Sequence, residues 1–158
     1  MATRLSAFAL YLDTSALMKL FVQEDGSARV RALAGGRRGA QVLLVSRLGY
    51  TEASVSLARL VHLGRLAAAD LPRHLGSLDD YWDRSIQEVG LTEAVLDEAC
   101  QLTQRFPLRT YDAIHLASAR EARRMLRGVF EGEVQFLAFD GALLKAAQEV
   151  GFAIPAGG

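Results

Sequence analysis

The chain has a single cysteine, Cys100, which excludes an internal disulfide. Set among Val95, Ala99 and Leu102, it reads as a small buried hydrophobe, and a reducing cytoplasm is the compartment that suits it. Long apolar runs are also missing. The stretch from Leu5 to Leu12 follows Arg4 and stops at Asp13 without a small-residue cleavage site, far short of the roughly 20 residues that cross a bilayer. Neither secretion nor membrane insertion is expected. Excess charge of one sign is absent too, since 18 basic residues balance 18 acidic ones. The molecule as a whole therefore does not attract polyanions, and any nucleic-acid affinity must come from local patches.

Histidine is scarce, and His62, His74 and His115 form no Cys/His ligand spacing, which disfavours a zinc site and leaves each as a structural histidine. His115 stands apart only for its closeness to Asp112. No serine occupies a nucleophile elbow and no glycine-rich loop is built to cradle phosphates, so covalent serine chemistry and nucleotide-triphosphate binding are both unsupported.

What is present is an ordinary globular composition, 51% hydrophobic and 23% charged over 158 residues, which is one domain's worth of chain spanning 1–158. At that size folding buries roughly 68–70% of the surface of the unfolded chain, enough for one core. Strand-like apolar runs alternate with helical segments. Phe8 to Leu12 reads as a strand, followed at once by a helix over Ser15 to Phe21 and, after the glycine-rich break at 34–39, by a strand over Val42 to Val45. A long helix runs from Arg47 to His62, closed by Gly64. Leu71, Leu75, Leu78 and Trp82 then recur at helical spacing within 67–85, with Pro72 in the first turn. Ile86 to Leu91 is a third strand. Thr92 caps a helix that Pro107 terminates, and the next helix begins at Asp112. Val134 to Phe139 is strand-like, Asp140 to Val150 helical, and 151–155 a short final strand. This alternation predicts an α/β fold, a mainly parallel central sheet flanked by helices.

In such sheets ligands bind outside the carboxyl ends of the strands. Asp13 and Asp140 each follow a predicted strand, Asp112 opens a helix that can share that edge, and Glu52 lies one to two turns into the helix after the second strand. Each has a plainer reading, because aspartate caps helices and glutamate favours them. Glu52 is the most telling, flanked by Tyr50, Ala53, Val55 and Leu57 with no evident cap or partner in its own helix. Converging carboxylates repel and need a counter-charge, and an all-oxygen set suits magnesium or manganese. Such an ion supports phosphodiester hydrolysis. Arg120, Arg123, Arg124 and Arg127 form either a solvated helix face or a phosphate-binding strip, and Arg59 shares a helix face with Glu52. Tyr81 beside Trp82 is assigned to packing in preference to base stacking.

Four segments carry a family resemblance. Leu12-Asp13-Thr14-Ser15-Ala16-Leu17 looks like the opening motif of PIN domains, and Thr51-Glu52-Ala53 resembles their second-acid helix. The segments Thr110 to Ala119 and Phe139 to Ala147 resemble the third- and fourth-acid segments, in the same order and spacing over nearly the whole chain. The resemblance, to PIN-domain ribonucleases of the VapC toxin type, implies a PIN-like sandwich. It implies that Asp13, Glu52, Asp112 and Asp140 are catalytic and hold Mg or Mn, with the Ser15 hydroxyl lining the site. It further implies an RNA substrate, frequent homodimerisation and a cognate VapB-type antitoxin whose tail blocks the site. Two departures stand out: Ala138 replaces a hydroxyl residue often found two positions before the fourth acid, and the stretch ahead of Asp13 is longer than usual, so a start downstream of Met1 is compatible with the pattern. Other readings stay open here: a PIN nuclease of RNA processing without an antitoxin, or a non-catalytic α/β binding domain whose acids cap helices.

Overall fold

A computed structural model describes residues 7–156; residues 1–6 and 157–158, with the first part of the Leu5 to Leu12 run and the question of the start, lie outside it. Four strands, β1 (Phe8–Leu12), β2 (Val42–Ser46), β3 (Ile86–Val89) and β4 (Glu133–Leu137), form one sheet in the order β3-β2-β1-β4. Every pairing is parallel, with Leu10 opposite both Leu43 and Gln135.

Alternation along the strands builds two cores, one on each face of the sheet. Ala9, Tyr11, Leu44, Val134 and Phe136 point to one face and pack with helices α5 (Glu93–Arg105), α6 (Thr110–Leu126) and α7 (Gly141–Glu149). Leu10, Leu12, Leu43, Val45 and Leu137 point to the other and meet α1 (Thr14–Met18), α2 (Ser27–Gly35), α3 (Arg47–His62) and α4 (Leu71–Ser85). Leu78 and Trp82 are buried there, Leu71 and Leu75 pack partly buried against them, and Tyr81 meets Phe21 edge-on at 5.6 Å, as the packing assignment of this stripe requires. No helix among the described residues is long and apolar enough to cross a membrane.

From β1 the chain steps outward to β2 and β3, then returns to place β4 on the opposite side of β1. This reversal opens a crevice at the carboxyl ends of β1 and β4. Asp13 and Asp140 follow those two strands, and the Asp13 amide donates to the Leu137 carbonyl at 3.1 Å, prolonging the ladder to the edge of the crevice.

Several local expectations need correction. The first helix ends at Met18, and α2, unforeseen, occupies 27–35. Its amphipathic signal is weak, its N-terminus is a left-handed Gly26 (φ 87°) with no side-chain cap, and it runs straight into the glycine-rich break. The segment 67–85 opens with a 3-10 turn at Ala68–Asp70 ahead of α4. The final strand is a single bridge between Gln135 and Ala153. Cys100 is exposed: Val95, Ala99 and Leu102 turn inward from α5, and one residue past Ala99 is rotated about 100° away from that buried stripe.

Candidate active site

Asp13 begins the site. It caps α1 by accepting the Ala16 amide at 2.9 Å, and the Ser15 hydroxyl donates across both carboxylate oxygens at 2.7 and 2.9 Å. The residue is only 6% exposed. Burial pushes its pKa above the ordinary 3.8, against the pull of the Ala16 and Ser15 donors and of His115, with Asp112 adding to the rise. Ser15 Oγ also accepts the Phe139 amide at 3.1 Å, tying the start of α1 to the segment that leads into Asp140. That contact serves the segment where Ala138 offers no hydroxyl.

Glu52 projects from the second turn of α3. Burial alone pushes its pKa up, but hydrogen bonds from His115 and Thr14 and the charge of His115 outweigh it, so Glu52 is held below 4.5. Its Oε2 lies 2.7 Å from His115 Nε2 and also accepts the Thr14 hydroxyl. An ionised carboxylate only accepts, so Nε2 donates to it, and Nδ1 is hydrogen-bonded to the Tyr11 hydroxyl, 2.9 Å away. Burial pushes the Tyr11 phenol far up, which keeps it a neutral donor.

Asp112 lies in the first turn of α6, two residues inside the helix that it was expected to open. Its Oδ2 accepts from Arg109 Nε at 3.1 Å, while Arg109 Nη2 lies 4.0 Å from Asp140 Oδ2. Asp140 caps α7 through the Leu143 amide at 2.9 Å and leaves 41% of its side chain exposed. A cleft of about 540 Å³ is lined by Glu52, Arg109, Thr110, Tyr111 and Asp112.

Glu52 and Asp112 line one cleft with Arg109, Arg109 also lies beside Asp140, and Asp13 at the end of β1 is near enough to feel the charges of His115 and Asp112. Among the described residues no three acids or histidines are drawn together as a ready-made cation cage. Each acid is instead held by protein donors. The available set is nevertheless all oxygen, with His115 Nε2 spent on Glu52, and such a set suits a hard divalent cation better than zinc.

Sequence reasoning missed Thr14, Arg109 and Tyr11, and it placed His115 among structural histidines. The signal for His115 was its position three residues after Asp112, which puts both on one face of α6. The arginine strip dissolves into internal contacts. Arg124 pairs with Glu98 at 2.6 Å and with Glu121 at 2.7 Å, and Arg120 Nε lies 3.0 Å from Glu98 without hydrogen-bond alignment. Arg123 donates to the carbonyls of Val150 and Gly151 and lies over the Phe152 ring at 4.3 Å. Arg127 and Arg59 are exposed.

Comparison with known proteins agrees with this architecture. Residues 10–126 match the PIN domain family. Ribonuclease VapC45 of Mycobacterium tuberculosis is 36% identical over 110 residues, covering 70% of this chain and 74% of that protein. Ribonuclease VapC47 of the same species is 31% identical over 144 residues, covering 90% and 93%. The crystal structure of M. tuberculosis VapC20, described as a sarcin-ricin loop cleaving toxin, superposes with a TM-score of 0.62 at 16% identity over 91% of this chain and 96% of that one, a likeness of fold. With the strand order, the acid-lined edge and these relatives in agreement, the chain belongs to the PIN-domain family, among its VapC ribonucleases.

Proposed function

We propose that this chain, as one PIN domain, is the metal-dependent endoribonuclease toxin of a toxin-antitoxin pair, hydrolysing phosphodiester bonds of single-stranded or looped RNA in the cytoplasm. The observation that supports the reading is the cleft lined by Glu52, Arg109 and Asp112, with Asp140 beside Arg109 and with Asp13 at the end of β1, where burial and Asp112 make its charge costly. Carboxylates left mutually repelling at a ligand crevice are a cation site in waiting. The catalytic set is these four acids and Ser15. Asp13, Glu52, Asp112 and Asp140 would hold Mg or Mn, and when bound such an ion neutralises the scissile phosphate and acidifies the attacking water.

The chain's own groups then divide the work. Glu52, kept ionised by Thr14 and His115, has Oε1 free of those two partners to take the proton of the attacking water. Water adds to phosphorus, the bond to the leaving oxygen breaks, and a proton returns to that oxygen. Ser15 fixes the rotamer of Asp13 by donating to both of its oxygens. Arg109, its side chain 83% exposed at the mouth of the cleft, can exchange carboxylate for phosphate without burying a charge.

The VapC names of the relatives support RNA as substrate and a VapB-type antitoxin as partner, and a homodimer completes the proposal. The experiment is brief expression followed by sequencing of RNA ends, beside purified protein given RNA with Mg, with Mn, or after exhaustive chelation. Cleavage at defined sites that chelation abolishes and Asp112→Asn removes is the expected result; cleavage persisting in metal-free protein overturns the mechanism. A small antitoxin-like reading frame immediately upstream separates the toxin from an RNA-processing nuclease.

A further inference from the structure

Tyr11 is stacked on Phe136 at 5.4 Å, Tyr50 meets Trp82 at 5.2 Å and donates to Asp79, and Tyr81 meets Phe21. Tyr111 differs. Its residue is 58% exposed, and among the described residues its ring and hydroxyl have no aromatic, cationic or hydrogen-bonding partner. Core packing therefore does not account for the ring. It lies instead on the wall of the acid-lined cleft, between Arg109 and Asp112 in sequence, and Glu52 lines the same cleft.

We propose that Tyr111 is a stacking platform for an unpaired base of the RNA strand, next to the phosphate being cut. The inference rests on the ribonuclease reading of the site and adds how the strand is gripped there. Electrostatics alone serves that purpose poorly: the chain carries no net charge, the cleft is edged by acids that repel phosphate, and Arg120, Arg123 and Arg124 are engaged within the protein. Arg109 is the cation at the cleft, and an arginine holding a phosphate beside an aromatic face for the attached base is how single strands are bound without reading their sequence. The cleft of about 540 Å³ falls within the range of small-ligand sites. Phe139, the other exposed aromatic beside a site acid, is a poorer platform, because Lys19 covers its ring at 4.4 Å and the ring edge lies against Gly26. Stacking needs a base out of its helix, so the platform selects unpaired or looped strands over duplexes.

The test uses the full chain with a fluorescein-labelled single-stranded RNA that it cleaves, and the same RNA carrying one abasic position at each site in turn. Tyr111→Ala and Tyr111→Leu are expected to weaken cleavage by about 5- to 150-fold, the range of one stacked base, with the loss in KM rather than kcat, while Tyr111→Phe restores it. One abasic position next to the cut should weaken the wild type by a similar factor and cost Tyr111→Ala almost nothing further, since the same contact is already gone. The proposal is overturned if Tyr111→Leu matches Tyr111→Phe, if the abasic penalties are equal in wild type and Tyr111→Ala, or if Tyr111→Ala alters only self-association. A wild type that cuts no RNA with Mg or Mn sinks the ribonuclease reading itself, whereas a wild type that cuts normally beside an equally active Tyr111→Ala sinks the platform alone.

Discussion

His115 Nε2 stands 2.7 Å from Glu52 Oε2, so the helix that carries Asp112 also fixes the carboxylate carried by α3. His115 is 2% exposed and spans from the Tyr11 hydroxyl on β1 to the acid at the cleft. Replacing it by alanine leaves the partly buried Glu52 carboxylate with Thr14 alone and takes the His115 partner from the buried Tyr11 phenol, at a cost of about 1–3 kcal/mol. Glu52 loses the His115 hydrogen bond and charge that help hold its pKa below 4.5 and keeps only Thr14, so the acid limb of the pH-rate profile should move to higher pH. The stabilisation supplied by a depressed carboxylate is present above its unfolded value and lost as pH falls through the folded one. The stability gap between wild type and His115→Ala should therefore narrow below about pH 4.5 in denaturant melts. His115→Gln, which keeps a donor, should recover part of the loss.

Asp13 carries the opposite sign. Its folded pKa lies above 3.8, so ionisation costs stability that is intact below 3.8 and fully lost once pH passes the folded value. Asp13→Asn keeps an acceptor for the Ala16 amide and caps α1 about as well. In metal-free protein near neutral pH it should melt higher than wild type, by about 2–4 °C for each kcal/mol gained, and the advantage should vanish towards pH 3.8. RNA cleavage should fall to background. A lower melting temperature at neutral pH would show that the buried charge is not a burden.

Arg109 contacts Asp112 and lies near Asp140, where a divalent cation would compete with it. Arg109→Ala is expected to bring the thermal stabilisation by Mn to lower metal concentration while raising KM for RNA. A metal titration followed by melting temperature, run beside RNA kinetics, reads both. Metal dependence identical to wild type would remove Arg109 from the site.

Arg120 and Arg124 face Glu98, which favours the helix-face reading over the phosphate-binding strip. Replacing both by alanine should leave the slope of log RNA affinity against log salt unchanged, because the slope counts phosphate contacts. The loss of stability should exceed the roughly 1 kcal/mol of a fully exposed ion pair, because Glu98, its side chain only 13% exposed, is left without either arginine. A clearly flatter slope would return the strip to RNA binding.

Local patterns in the sequence determined a great deal. Apolar runs read as strands because each of their faces meets a core, and Asp13 and Asp140 were legible at strand ends because those runs stop there. The α3 helix, the Thr92 cap and the stripe from Leu71 to Trp82 follow from spacing within one helix or one turn. What the tertiary structure alone decided spans long stretches of chain. Placing β4 beside β1 makes the crevice, and it pairs Leu12 with Leu137. Tyr11 reaches His115 across 104 residues and Glu52 reaches it across 63, which converts an unremarkable helix histidine into the clasp of the acid site. Glu98 claims two arginines from the neighbouring helix, and the direction of one turn of α5 sends Cys100 to solvent. Periodicity records which face of an element is apolar; it carries no record of which polar side chains of other elements will meet there, because that depends on strand order and helix packing.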